Sequence, residues 1–266
     1  MNLDLFKKVF RLAGAVCLIG ATVLRAETND IYLLIGQSNM AGRGPYVEAE
    51  DKGMFPEGTL FILNDKDVFA PIGPYPFINH FSTIRKSAAQ IGPGVMFART
   101  LLEAHPGKPV YLVSNARGGT SIKEWVKGTH YYDEAVRRTR EALKAGQLKG
   151  ILWHQGETDY REVLKQRGPE AQAKALEDYF ALLRQFITDL RADLNAADVP
   201  FVAGQVNQGF TGFNERMLKL PGELPHVSVV TTEGLVTMDG SHFDRPSQLE
   251  LGRRYGRAML KAQGGE

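Results

Sequence analysis

Ile31-Tyr32-Leu33-Leu34-Ile35-Gly36-Gln37-Ser38-Asn39-Met40-Ala41-Gly42 is the stretch on which the reading of this chain turns. Five apolar residues closed by a glycine read as a fully buried strand. Just beyond, where such a strand surfaces, stands the polar cluster Gln37, Ser38 and Asn39. Open parallel sheets bind ligands at the carboxyl ends of their strands. A hydroxyl there, between Gly36 and Gly42, is placed like a nucleophile. A serine after a strand is equally well explained as the cap of a helix starting at Asn39, so the rest of the chain must decide.

The alternation of elements supports the parallel sheet. Apolar runs at Thr59–Leu63, Val110–Val113, Gly150–Trp153, Phe201–Ala203 and Val227–Val230 read as further strands. Between them lie helices from Gly94 to before Pro106, from about Tyr132 to Ala145, and from Pro169 to about Asn195. The last of these carries Leu176, Tyr179, Phe180, Leu183, Phe186, Ile187, Leu190 and Leu194, one apolar stripe. A final helix opens at Pro246 with Ser247 and Glu250 as a capping box. Strand and helix in turn predict an α/β fold, a doubly wound parallel sheet covered on both faces. Residues 41–92 are a long Gly/Pro-rich region with Phe69, Tyr75, Phe77 and Phe81, rings that either pack the loop down or stack on sugar.

The first 26 residues stand apart. Lys7, Lys8 and Arg11 precede a thirteen-residue run from Leu12 to Leu24 in which only Thr22 is polar, and Ala26 follows shortly. That run is too short for a membrane span and reads as a secretory signal peptide. The expected organisation is therefore a leader over 1–26 and one domain over 27–266, exported to the periplasm or the exterior. The formal charge of +2 owes much to Lys7, Lys8, Arg11 and Arg25 of the leader; the remainder is close to neutral. Nothing in that balance draws the protein to nucleic acid or an anionic membrane. The single cysteine, Cys17, lies in the leader, which leaves no thiolate metal site or disulfide in the rest.

Four polar and glycine-rich clusters follow strands or stand in the last loop: Gly36–Asn39, Ala116–Ser121, His154–Glu157 and Asp239–His242. In a parallel sheet they meet at one edge. Acyl transfer needs a nucleophile, an oriented base and donors for the developing oxyanion. Ser38 supplies the hydroxyl and His242 the base. Asp239, three residues before His242, reaches its Nδ1–H within one turn. The backbone N–H groups of Ser38 and of Gly118 or Gly119, with the Gln155 side-chain amide, are the candidate oxyanion donors. No histidine and carboxylate spacing suggests zinc, and no cofactor is implied. Arg43 and Arg117 flank the blocks, each either a sugar contact or a structural ion pair.

With those residues in view, the chain resembles an SGNH (GDSL-type) hydrolase of the sialate O-acetylesterase-like group, which includes the acetylxylan esterases of carbohydrate esterase family six. Gly36-Gln37-Ser38-Asn39-Met40 resembles the nucleophile block, and Gly118-Gly119-Thr120-Ser121-Ile122 with Trp125 the second. His154-Gln155-Gly156-Glu157 stands where related enzymes place an Asn, and Asp239-Gly240-Ser241-His242 resembles the closing D-x-x-H block. The resemblance implies a flavodoxin-like three-layer α/β/α sandwich that removes acetyl groups from poly- or oligosaccharides without a metal. Gln37, Asn39, Arg117 and Trp125 are then the expected substrate contacts. It leaves two acids open as the partner of His242, Asp239 by local geometry and Glu157 from the third block. Three activities also stay open: a carbohydrate O-acetylesterase, an esterase for other short-chain substrates, and a binding protein that keeps the scaffold.

Overall fold

The computed structural model describes residues 28–73 and 90–265. The leader, His80 and the rings of Tyr75, Phe77 and Phe81 lie outside the described residues. Among the described residues the nine strands are β1 (Asn29–Gly36), β2 (Gly44–Pro45), β3 (Leu60–Leu63), β4 (Phe69–Pro71), β5 (Gln90–Ile91), β6 (Val110–Ser114), β7 (Gly146–His154), β8 (Phe201–Gly204) and β9 (Val227–Val230). Seven of them form one sheet in the order β4-β3-β6-β1-β7-β8-β9. All its pairings are parallel except β3 with β4. The strand opened by the decisive stretch is central, with β6 on one side and β7 on the other.

Apolar side chains alternate along β1, and the two faces bury separate cores. Ile31, Leu33 and Ile35 pack with α4 (His130–Ala142) and α6 (Pro169–Asp193). Tyr32 and Leu34 pack with α3 (Pro93–Ala104) and α8 (Arg245–Ala262). The α6 stripe buries Tyr179, Phe180, Leu183, Phe186, Ile187 and Leu190 against the sheet. Both α3 and α6 start with a proline at their first position, where no backbone donor is needed. On the opposite face α8 lies close to α3, because a side chain at Gly252 would meet the Pro93 carbonyl at 2.2 Å. The molecule is thus an α/β/α sandwich with a mostly parallel sheet.

Three local expectations change. The sheet gains an antiparallel edge, β4, whose Phe69 packs edge-on against Tyr111 at 5.0 Å while Phe61 stacks on the same ring at 4.7 Å. That ring serves packing, not a sugar platform. β7 starts at Gly146, four residues early, because Leu148 pairs with Ile31 and is buried. The α8 cap is Asp244, whose carboxylate accepts the Ser247 N–H at 2.9 Å. Ser247 instead accepts the Val236 N–H, and Glu250 pairs with Arg254.

Candidate active site

β1 and β7 end side by side. Gly36 has φ +130°, and a side chain there would meet the His154 carbonyl at 2.2 Å, so only glycine lets the two strand ends touch. Gln37 N–H donates to that carbonyl at 2.8 Å. The chain then turns at once into α1 (Ser38–Ala41), with Ser38 as its first residue. The helix cap is Gln37, without a side-chain bond, so the capping explanation of Ser38 does not hold.

The Ser38 hydroxyl faces His242 instead, Oγ to Nε2 at 3.0 Å. Nδ1 of His242 lies 2.6 Å from Asp239 Oδ2. The other oxygen of Asp239 accepts the N–H groups of His242 at 2.7 Å and Ser241 at 3.0 Å. Those bonds make residues 239–242 one tight turn. The His242 N–H and ring, with Ser241, hold the Asp239 carboxyl down at about 2. A negative acid, an oriented imidazole and a hydroxyl are therefore in line.

Glu157, the other candidate acid, does not reach this line. It is fully buried at the start of α5 (Glu157–Leu164) and accepts the Asn39 amide at 2.7 Å. Burial by itself raises its pKa; the His154 ring and the Asn39 amide outweigh that and hold it below the ordinary value. His154 Nε2 is 3.6 Å away, and its Nδ1 lies 3.1 Å from the Tyr255 hydroxyl.

Gln155 is equally enclosed. Its amide nitrogen donates to the Thr120 carbonyl at 2.8 Å and to Asp159 at 2.5 Å, with Gln37 Oε1 at 3.2 Å. Its oxygen accepts the Tyr179 hydroxyl at 3.0 Å. Both amide hydrogens are engaged within the protein, which leaves the side chain no free donor for an oxyanion. Gly118 is half-buried, Gly119 is exposed with φ +82°, and neither donates to a backbone acceptor among the described residues. The same holds for Ser38 N–H. The loop that carries the two glycines is tied at Arg117, whose N–H donates to the Gly36 carbonyl at 2.8 Å, and at Ile122, whose N–H donates to Asp159 at 3.1 Å.

Three of the four expected substrate contacts face inward. Asn39 and Trp125 are fully buried and Gln37 nearly so. Trp125 donates its indole N–H to Thr120 Oγ1 at 3.0 Å and packs edge-on against Trp153. Gln37 accepts the Gly156 N–H. Arg117 alone is half-exposed, and Arg43 donates to Gln90 at 3.1 Å. The Asn207 amide bonds the Gly240 carbonyl, which brings the 207–213 loop to the His242 turn.

Asp159, Tyr179 and Gln248 belong to this centre, and the sequence reading did not single them out. Asp159 carries a signal, an acid four residues after Gln155 in the first turn of a helix. Tyr179 and Gln248 carry none, since each sits in a helix whose neighbours are core. Burial pushes Asp159 up to about 6, against the Gln155 and Ile122 N–H groups that favour its charge. A groove of about 960 Å³ lies at the other end of the sheet beside Arg191 and Pro200, and none of Ser38, Asp239 and His242 lines it. Among the described residues no group of three or more His, Cys, Asp or Glu is placed to hold a metal, and no helix is long and apolar enough to cross a membrane.

Comparison with known proteins comes down on one family. The pattern of the family described as "Carbohydrate esterase, sialic acid-specific acetylesterase" matches residues 28–261. A probable carbohydrate esterase of Arabidopsis thaliana is 31% identical over 258 residues, covering 87% of this chain and 90% of the relative. A solved Arabidopsis thaliana structure superposes with a TM-score of 0.74 at 28% identity, over 88% of this chain and 98% of that one. Two more distant structures share the fold. NanS has a TM-score of 0.61 at 16% identity, over 90% and 98% of the two chains. A carbohydrate acetylesterase from Xanthomonas citri has 0.59 at 19%, over 89% of this chain and 57% of that one.

Proposed function

Because the chain belongs to the carbohydrate esterase family of sialic acid-specific acetylesterases, we propose that it hydrolyses O-acetyl esters of carbohydrates through a Ser38 acyl-enzyme. The observation that carries this reading is the relay from Asp239 through His242 to Ser38, with bonds of 2.6 and 3.0 Å.

Ser38 Oγ attacks the acetyl carbonyl while His242 Nε2 takes its proton. Asp239 fixes the ring by accepting Nδ1–H and stabilises the imidazolium that forms. The carbonyl oxygen becomes an oxyanion, received by the N–H groups of Ser38 and of Gly118 or Gly119. His242 returns the proton to the leaving sugar hydroxyl. It then deprotonates a water that releases acetate and restores Ser38. Gln155 stands behind the glycine loop and keeps it in place.

Acetate release from acetylated xylan, pectin and sialic acid, by wild type and Ser38→Ala, tests the reading and names the sugar. Loss of Ser38 should lower kcat by about 10⁴–10⁶. Equal rates, or glycan binding without acetate release, would sink it. In this reading residues 1–26 direct export, and sequencing the amino terminus of the secreted protein locates the cut.

A further inference from the structure

Asn39 follows the nucleophile directly, yet its side chain cannot meet a substrate. It is fully buried, and each of its four hydrogen-bonding positions is filled. The nitrogen donates to Glu157 Oε1 at 2.7 Å and to the Ser241 carbonyl at 3.0 Å. The oxygen accepts the Phe243 N–H at 3.1 Å and the Gln248 amide at 3.1 Å. Ser241 and Phe243 are the two neighbours of His242. One side chain therefore grips the backbone on both sides of the base while its own backbone carries the serine.

Resting on the esterase reading, we propose that Asn39 is a positioning residue that sets the Ser38–His242 separation, and that Glu157 anchors it. The Asp239 carboxylate fixes His242 within its own loop, but none of its bonds reaches α1. Asn39 supplies the missing link. Glu157 orients the amide from behind, and His154, set against Tyr255, stands behind Glu157. The acid of the third block thus acts on the base through the nucleophile's neighbour.

Asn39→Asp tests the clamp, because it keeps the acceptor for Phe243 and Gln248 and turns the donor into an oxygen facing Glu157 and Ser241. Sites are counted with a fluorophosphonate that labels Ser38, so misfolded protein drops out of the comparison. Expected is a fall of about 10² in kcat per labelled site, the size of effect that a misplacement of about 1 Å produces. KM should stay within about twofold, and amide exchange at Phe243 should quicken relative to α8. Glu157→Gln keeps an acceptor for Asn39 and should cost no more than about tenfold in kcat. Wild-type kcat per labelled site in Asn39→Asp overturns the proposal, whatever the melting temperature does. So does a loss near 10⁴ in Glu157→Gln, the effect of removing a triad acid. Wild type that neither labels nor releases acetate sinks the esterase reading itself, and the clamp's catalytic role with it; intact labelling with an indifferent Asn39 removes the clamp alone.

Discussion

Two buried polar networks leave the end of β7 in opposite directions, and their acids are shifted in opposite directions. His154 points to the face of α3 and α8, where Tyr255, Glu157 and Asn39 lead to the turn of the base. Gln155, the next residue, points to the face of α6, where Tyr179, Asp159 and Thr120 lead to the glycine loop. The strand's alternation makes this division. Glu157 is held below its ordinary pKa beside His154, whereas burial pushes Asp159 up to about 6. The first network rests on a charge and holds the base. The second has an acid that takes up a proton below about pH 6 and holds the loop of Gly118 and Gly119. A short segment, His154 to Asp159, thus braces both the turn of His242 and the loop of Gly118 and Gly119.

The comparison breaks most sharply at the acid that belongs to neither network. Asp239→Asn should lower kcat by about 10⁴, since the His242 tautomer is lost. If kcat falls less than tenfold, the base is oriented by another group and the two-network division fails. Gln155→Ala comes next: by urea denaturation it should cost about 2–3 kcal/mol, the loss of a buried amide that takes a donor from the Thr120 carbonyl and from Asp159. A fully stable Gln155→Ala with a hundredfold lower kcat would return Gln155 to the oxyanion.

The smallest effect separates the two acids by pH. The folded pKa of Asp159 lies above its ordinary 3.8. Between about pH 6 and 4 the folded protein therefore keeps a proton that the unfolded chain has lost. The burden Asp159 places on stability is full above pH 6 and lifts as pH falls. Measured against Asp159→Asn, wild type should gain about 1 kcal/mol between pH 7 and pH 5. A flat difference would mean that Asp159 is charged throughout. Asp239 works the other way: its contribution is present above pH 3.8 and disappears as pH falls towards 2.

Ser38, His242 and Asp239 were legible because their relation is mostly local. A serine at the mouth of a buried strand and an acid three residues before a histidine need only strand direction and one turn. Asn39, Gln37, Gln155 and Trp125 were not, although they stand in the same blocks. A polar side chain beside a site looks alike in sequence whether it faces a substrate or a neighbouring strand end. Only the full count of donors and acceptors separates the cases. Among the elements, the long stripe of α6 announced itself. Edge strand β4 did not, since it is three residues long, ends in proline and pairs on one side only. The α8 cap was misread because Asp244 and Ser247 are both capping residues, and the choice depends on which side chain the turn at Val236 claims.

The close seat of α8 on α3 gives the base a mechanical dependence on a distant contact. His242 stands two residues before the Asp244 cap, so it moves with the helix that follows. Gly252 sits on the Pro93 carbonyl, and Gly256 approaches Thr100 in the same way. With so little clearance the helix can neither roll nor slide towards α3. The seat acts as a bearing: a single added methyl at Gly252 would collide with the Pro93 backbone, so α8 or α3 must shift, and the load reaches the turn of His242 without touching any residue of the site.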